Sequence, residues 1–189
     1  MTRISCGAVP SLYIDDPEQG IASATCHPTF VDLAPESFYD QGEHFSPFGN
    51  DSGYDALRAL EGWYVEGGRD DALPAFAAGL IASWDFGVPD DVWAAGREDV
   101  HARLRDGSLD EVAPTAEAQA QLAIVLGQLK IRGGLTPAAR ILGGAVVDVL
   151  WALADHSRVA YPNWPHAAEN LAAIAAAADV IDKAPVLQA

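Results

Sequence analysis

Phe45-Ser46-Pro47-Phe48-Gly49-Asn50-Asp51-Ser52-Gly53-Tyr54-Asp55 divides the chain into two kinds of sequence. Upstream, residues 1–45 hold Pro10, Pro17, Pro28 and Pro35 among many Gly, Ser, Thr and Asp residues, and no hydrophobic period persists. Downstream, apolar residues return at helical spacing in one segment after another. Within the run itself, Asn50 is a good N-cap, because its side-chain oxygen accepts from a backbone N–H in the first helical turn. Asp51 follows where the helix dipole favours negative charge. Pro47 and Gly49 shape a turn ahead of the cap, and Phe45 and Phe48 offer apolar groups to a core. The run reads as the start of the first long helix.

The rest of the chain repeats that pattern. Tyr54, Leu57, Leu60, Trp63 and Tyr64 form one helical face, which Gly67-Gly68 ends. A second helix starts near Asp70-Asp71, accepts Pro74 in its opening turn and carries Phe76, Leu80 and Trp84. Pro89-Asp90-Asp91 opens a third, whose thin stripe (Val92, Trp93, Val100, Leu104) is interrupted by Gly96, so it should be peripheral. Thr115 is the expected cap of a fourth, with Leu122, Val125, Leu126 and Leu129 before Gly133-Gly134. Thr136-Pro137 is an N-cap followed by proline at the first helical position. Residues 138–156 then read apolar almost all round, which predicts the buried central helix of the core. Gly143-Gly144 on it should let a neighbour approach closely. Tyr161-Pro162-Asn163-Trp164-Pro165 is a turn, with Asn163 expected to cap an alanine-rich last helix ending near Asp182. About six helices and no strand alternation predict an all-α single-domain bundle over residues 46–184. Residues 1–45 are expected to be an irregular arm packed across it.

The chain has 189 residues, half of them hydrophobic. At that length about 70% of the unfolded surface is buried on folding. Charge is lopsided: 11 basic against 27 acidic groups give a net −16. Residues 1–45 contribute −6, residues 46–112 contribute −9 and residues 113–189 only −1. Such a balance argues against direct contact with nucleic-acid backbones or anionic membranes. It fits a solvated acidic surface, and it also fits a negative face for a basic protein or cationic ligand. Cys6 and Cys26 are not a disulfide framework. Together with His27 they would supply three zinc ligands, but the closely spaced cysteine pair of zinc sites is missing. No basic-then-apolar leader opens the chain. The longest apolar stretch, residues 141–153, is broken by Asp148 and falls short of the ~18 residues of a membrane span. A soluble cytoplasmic protein with reduced thiols is the expectation.

Candidate chemistry concentrates on the opening run. Asp51 and Asp55 are four apart on one helix face, where like charges repel by about 0.2–0.5 kcal/mol. The dipole offsets this for Asp51 better than for Asp55, one turn further on. Asp40, Glu43 and His44 lie just upstream. Folded back, Asp40, Glu43, His44, Asn50, Asp51 and Asp55 would suit a divalent cation or a cationic group of a partner. The same residues also read as a structural turn. Elsewhere, Asp148 and Asp155 lie seven apart on the predicted central helix, where Glu117 or Glu169 would complete a bundle carboxylate site. Pairing with Arg132, Arg140 or Arg158 is the expected fate of any that are buried. Serine nucleophile elbows, phosphate-binding loops and dinucleotide fingerprints are absent.

His27-Pro28, Phe38-Tyr39-Asp40 and the run Phe45-Ser46-Pro47-Phe48-Gly49-Asn50-Asp51, with Gly53 and Asp55 after it, are similar to the start of the YfeS-like group of uncharacterised bacterial proteins. The resemblance spans residues 27–55 and implies a bacterial cytoplasmic helical protein whose shared feature is this loop and helix start. Some members of that group are described as bearing a WGR domain. This chain has no Trp-Gly-Arg run, so no nucleic-acid or polymerase association is carried over. The leading expectation is a non-enzymatic binding protein, of the inhibitor or immunity type, that contacts a basic partner. The alternative is a metal-dependent hydrolase or ligand-binding enzyme with a cation held by the 40–55 cluster. A homodimer with a structural role is the third.

Overall fold

The computed structural model describes residues 12–187; Cys6 lies outside them. Helix α2, Asp51–Val65, begins where the sequence predicts. Asn50 Oδ1 accepts from the Gly53 N–H at 2.8 Å, and Asn50 Nδ2 donates to the Ser46 carbonyl at 3.0 Å. Helices α3 (Leu73–Trp84), α4 (Arg97–Asp106), α5 (Val112–Arg132), α6 (Pro137–Ala160) and α7 (Ala167–Lys183) follow. A short α1, Pro28–Leu33, precedes them. Seven α-helices packed on one another, with no strand among the described residues, make an all-α bundle.

The differences from expectation are local. Helix α1 spans 6 residues, too short to show a stripe. It is set by His27, whose Nδ1 accepts from Thr29 N at 3.1 Å, and by Pro28 at its first position. The third predicted helix divides at the glycine that broke its stripe: a 3₁₀ turn at Asp90–Val92, then α4 with Gly96 as N-cap. Helix α5 starts earlier than Thr115. Asp110 Oδ1 accepts from Val112 N (2.9 Å) and Ala113 N (3.2 Å), while Thr115 Oγ1 donates back to the Glu111 carbonyl at 2.6 Å. Helix α7 starts at Ala167, so Asn163 lies in the turn before it and is no cap. Thr136 caps as predicted, its Oγ1 accepting from Ala139 N at 3.2 Å.

The larger correction concerns the core. Helix α5, not α6, is central: with Gln119 alone excepted, residues 117–131 are all buried, enclosed by α1, α2, α3 and α6. Helix α6 packs on α4, α5 and α7 but leaves Ile141 75% and Val159 73% exposed. Its apolar circumference exceeds what its neighbours cover. By composition α6 is long and apolar enough to cross a membrane, with mean hydropathy 1.5 over 18 residues, yet 44% of that window is buried within the bundle. Of the glycine pair only Gly143 is a close-approach point: a Cβ there would lie 3.1 Å from Val125 and 3.2 Å from Ile181. Gly144 faces open space.

Residues 12–50 share this core. Ile21, Cys26, Phe30, Phe38 and Phe48 are buried in it, with Phe30 meeting the rings of Phe38, Tyr39 and Phe48 at 6.5, 5.9 and 6.2 Å. The segment also serves the C-terminal end of α5. His27 N donates to the Lys130 carbonyl at 2.8 Å and Tyr13 N to the Ile131 carbonyl at 3.4 Å. Those carbonyls have no partner inside the helix. Arg140 does the same for α7, donating to the carbonyls of Ile181 (2.6 Å), Asp182 (2.9 Å) and Ala184.

Candidate functional site

The 40–55 loop is drawn tightly onto the start of α2. Asp40 Oδ1 accepts from Gly42 N at 2.8 Å, Glu43 Oε1 from Phe45 N at 3.2 Å, and Ser46 Oγ donates to the Phe38 carbonyl at 3.2 Å. Gly49 and Gly53 sit where no side chain fits. A Cβ at Gly49 would lie 2.2 Å from the Glu43 carbonyl oxygen, and one at Gly53 2.1 Å from that of Pro47. Asn50 is buried as the cap. Asp51 and Asp55 are exposed and, with Gln41, Gly49, Asn50 and Tyr54, border a polar concavity of about 310 Å³. His44 borders a different space, a groove of about 710 Å³ shared with Glu111, Gln119, Ser157, Tyr161 and Trp164. There Tyr161 Oη donates to Glu111 at 2.5 Å.

The loop thus brings Asn50, Asp51 and Asp55 together, uses Asp40 and Glu43 on its own backbone, and separates His44. Among the described residues no group of three or more His, Cys, Asp or Glu side chains is placed to hold a metal ion. The bundle carboxylates do not converge either. Asp148 is exposed, Asp155 pairs with Arg97 at 2.5 Å and Arg158 at 3.6 Å, and Glu169 pairs with His166 at 2.7 Å.

Electrostatically the loop stands in a stretch without cations: no Lys or Arg occurs in residues 4–57. Asp16, Glu18, Asp32, Glu36, Asp40, Asp51 and Asp55 are exposed along it. Arg58 is close in sequence to Asp55 but turns inward, its Nη2 at 2.6 Å from Asp15 and 2.9 Å from Glu61. Its guanidinium carbon lies 5.6 Å from the Tyr54 ring centre. Neither Asp51 nor Asp55 has an ion-pair partner among the described residues.

Sequence reasoning missed a buried charge cluster. Lys130, with a fully buried side chain, places Nζ 2.8 Å from Asp15, 2.5 Å from Glu61 and 3.2 Å from the Tyr13 carbonyl. Asp15 N donates to Glu61 at 3.0 Å, and the Thr25 hydroxyl donates to Asp15. With Arg58 the cluster holds two cations and two anions. The readable signal was a lysine between Leu129 and Ile131 on an apolar helix. Cys26 lies beside it; burial pushes the thiol up to about 12, against the pull of Lys130. A second network joins α2, α5 and α6. Tyr64 Oη donates to Asp70 at 2.8 Å, Arg132 pairs with Asp70 at 3.1 Å, and Gln128 Oε1 accepts from Thr136 N at 3.0 Å. Apart from Arg58 Nε, which has no acceptor among the described residues, the polar groups of both clusters pair with one another, which offsets the penalty of burying them.

Comparison of the chain with protein-family models, curated proteins and solved structures finds no match. The class defined here is the all-α bundle.

Proposed function

We propose that the chain is a non-enzymatic binding protein that receives a basic partner on the face around Asp51, Tyr54 and Asp55. The observation that carries this reading is the pair of exposed carboxylates without a cation partner among the described residues, at the end of a 54-residue stretch free of Lys and Arg. The nearest arginine in the chain after them is consumed internally by Asp15 and Glu61. A lysine or arginine side chain of a partner fits the concavity between Gln41 and Asp55 in size and sign. An inhibitor of a basic nuclease, or a mimic of nucleic acid, would be concrete instances, and a bacterial cytoplasm is the proposed setting.

The test is affinity capture from the source organism's lysate at low and high salt, followed by kinetics with the purified partner. A basic protein released by salt is expected, with an on-rate falling steeply as salt rises. Asp51→Asn with Asp55→Asn should slow association while leaving thermal stability nearly unchanged. Capture that is indifferent to salt, or an on-rate indifferent to the double substitution, rejects the reading.

A further inference from the structure

A third concavity lies on another part of the bundle, between α3, α5 and the start of α6, and the segment after α3 crosses it. It is about 530 Å³. Small-molecule sites commonly fall between about 300 and 1,000 Å³. Its space comes from short side chains: Ala77, Ala78 and Ala82 of α3 face Ala138 and Ala139 of α6. Phe86 and Trp93 supply aromatic walls.

The polar groups of the pocket are few and of one sign. Glu117 and Gln121, only 5% and 6% exposed, project from α5, and Gln121 Nε2 donates to Glu117 Oε1 at 2.8 Å. Asp85 and Asp90 stand at the rim, and among the described residues no Lys, Arg or His borders the space. The buried Trp93 Nε1–H has no acceptor in hydrogen-bonding geometry. Burial raises the Glu117 carboxyl above its ordinary value, opposed by Gln121 and by the Trp93 indole, with Asp90 raising it further.

Three acidic residues are buried in the described structure, and two of them, Asp15 and Glu61, touch both Lys130 and Arg58. Glu117, the third, has no cation partner among the described residues and opens on an apolar space. A buried carboxylate without a counter-ion is costly, so the complement of this pocket is a cation carried on an apolar body.

We infer that this pocket binds a small hydrophobic organic cation, an alkyl- or arylammonium whose N–H group donates to Glu117 while its apolar body fills the alanine-lined space. Phe86 and Trp93 would add attraction between the cation and their ring faces. This site is independent of the acidic loop, and either can fail without the other.

Calorimetric titration of the full chain with n-octylammonium and 2-phenylethylammonium tests it, with 1-octanol and octanoate as neutral and anionic controls. One-to-one binding of both ammonium ions is expected, with octanol at least about tenfold weaker, since a hydrogen bond to a charged group is worth that factor or more. Octanoate should not bind. Glu117→Gln should weaken the ammonium ions about tenfold and leave octanol unchanged. Ala78→Phe, at an exposed α3 position on the pocket wall, should abolish binding of all three and decides the location if Glu117→Gln proves unstable. Absence of saturable ammonium binding, equal affinity for octanol, or ammonium binding unaffected by Ala78→Phe would overturn the inference.

Discussion

Asn50 joins two parts of the chain through one side-chain amide. Its oxygen holds the first turn of α2 and its nitrogen holds the loop at Ser46. Loss of such a cap costs about 1 kcal/mol, within a range of 0.5–2. Asn50→Ala is therefore expected to lower the unfolding free energy from urea melts by that much or more, because the Ser46 carbonyl also loses one of its two donors and keeps only Gly49 N. Asn50→Asp keeps the acceptor for Gly53 N but not the donor, and should fall between the two. At this scale much of the molecule was legible. Thr136 and Asn50 cap as read because capping is chemistry between neighbours in sequence. Thr115 was misread because Asp110, another capping residue, stands one turn earlier and takes the orphan N–H groups first.

At the scale of elements, α5 is where sequence and structure part. Its Glu117, Gln121, Gln128 and Lys130 are polar, yet all are buried: other parts of the chain bring partners to Gln128 and Lys130, while Glu117 and Gln121 bond to each other. Lys130→Met would leave Asp15 and Glu61 against Arg58 alone, and should destabilise by about 3–5 kcal/mol, as removal of one member of a buried pair does. Replacing Asp15, Glu61 and Lys130 together by apolar residues of similar volume should cost less than the single change. Denaturant melts of the two variants decide this. Helix α1 carries a pH dependence of its own. Burial, with the Arg132 charge second, lowers the His27 pKa from its ordinary 6.5. As pH falls below that value the unfolded chain takes up a proton that the folded chain resists, so stability is full above it and declines below. Protonation at Nδ1 would also remove the acceptor of Thr29 N. His27→Asn retains a capping oxygen and should flatten the stability profile below the ordinary histidine value of 6.5.

At the scale of the molecule, Cys26 reports whether the bundle opens. It is 3% exposed and its pKa is raised to about 12 by burial, so the reactive thiolate is scarce and shielded. In a Cys6→Ser background, thiol reagents are expected to label the chain only at the rate of unfolding, and denaturant should bring labelling to that of a free peptide. Rapid labelling of the native variant would contradict the buried placement. The acidic loop and the alanine-lined pocket lie on different parts of the same bundle, and they differ in legibility. Asp51 and Asp55 were visible as a local excess of carboxylates. Glu117 drew notice only as a member of a bundle carboxylate set that does not form; its isolation is visible once α3 and α6 are in place around it.

The opening run shows the division most clearly. By itself the sequence determined that helices follow Asn50, where α2, α3 and α6 begin, and that the first half of the chain is strongly acidic, since caps, periods and charge are properties of near neighbours. Only the tertiary structure decided that α5 rather than α6 is the buried axis, that Arg58 serves Asp15 and Glu61 rather than Asp55, and that Glu117 has no counter-ion among the described residues. Each of those depends on which residues distant in the chain are brought within a few ångströms. No local pattern carries that information.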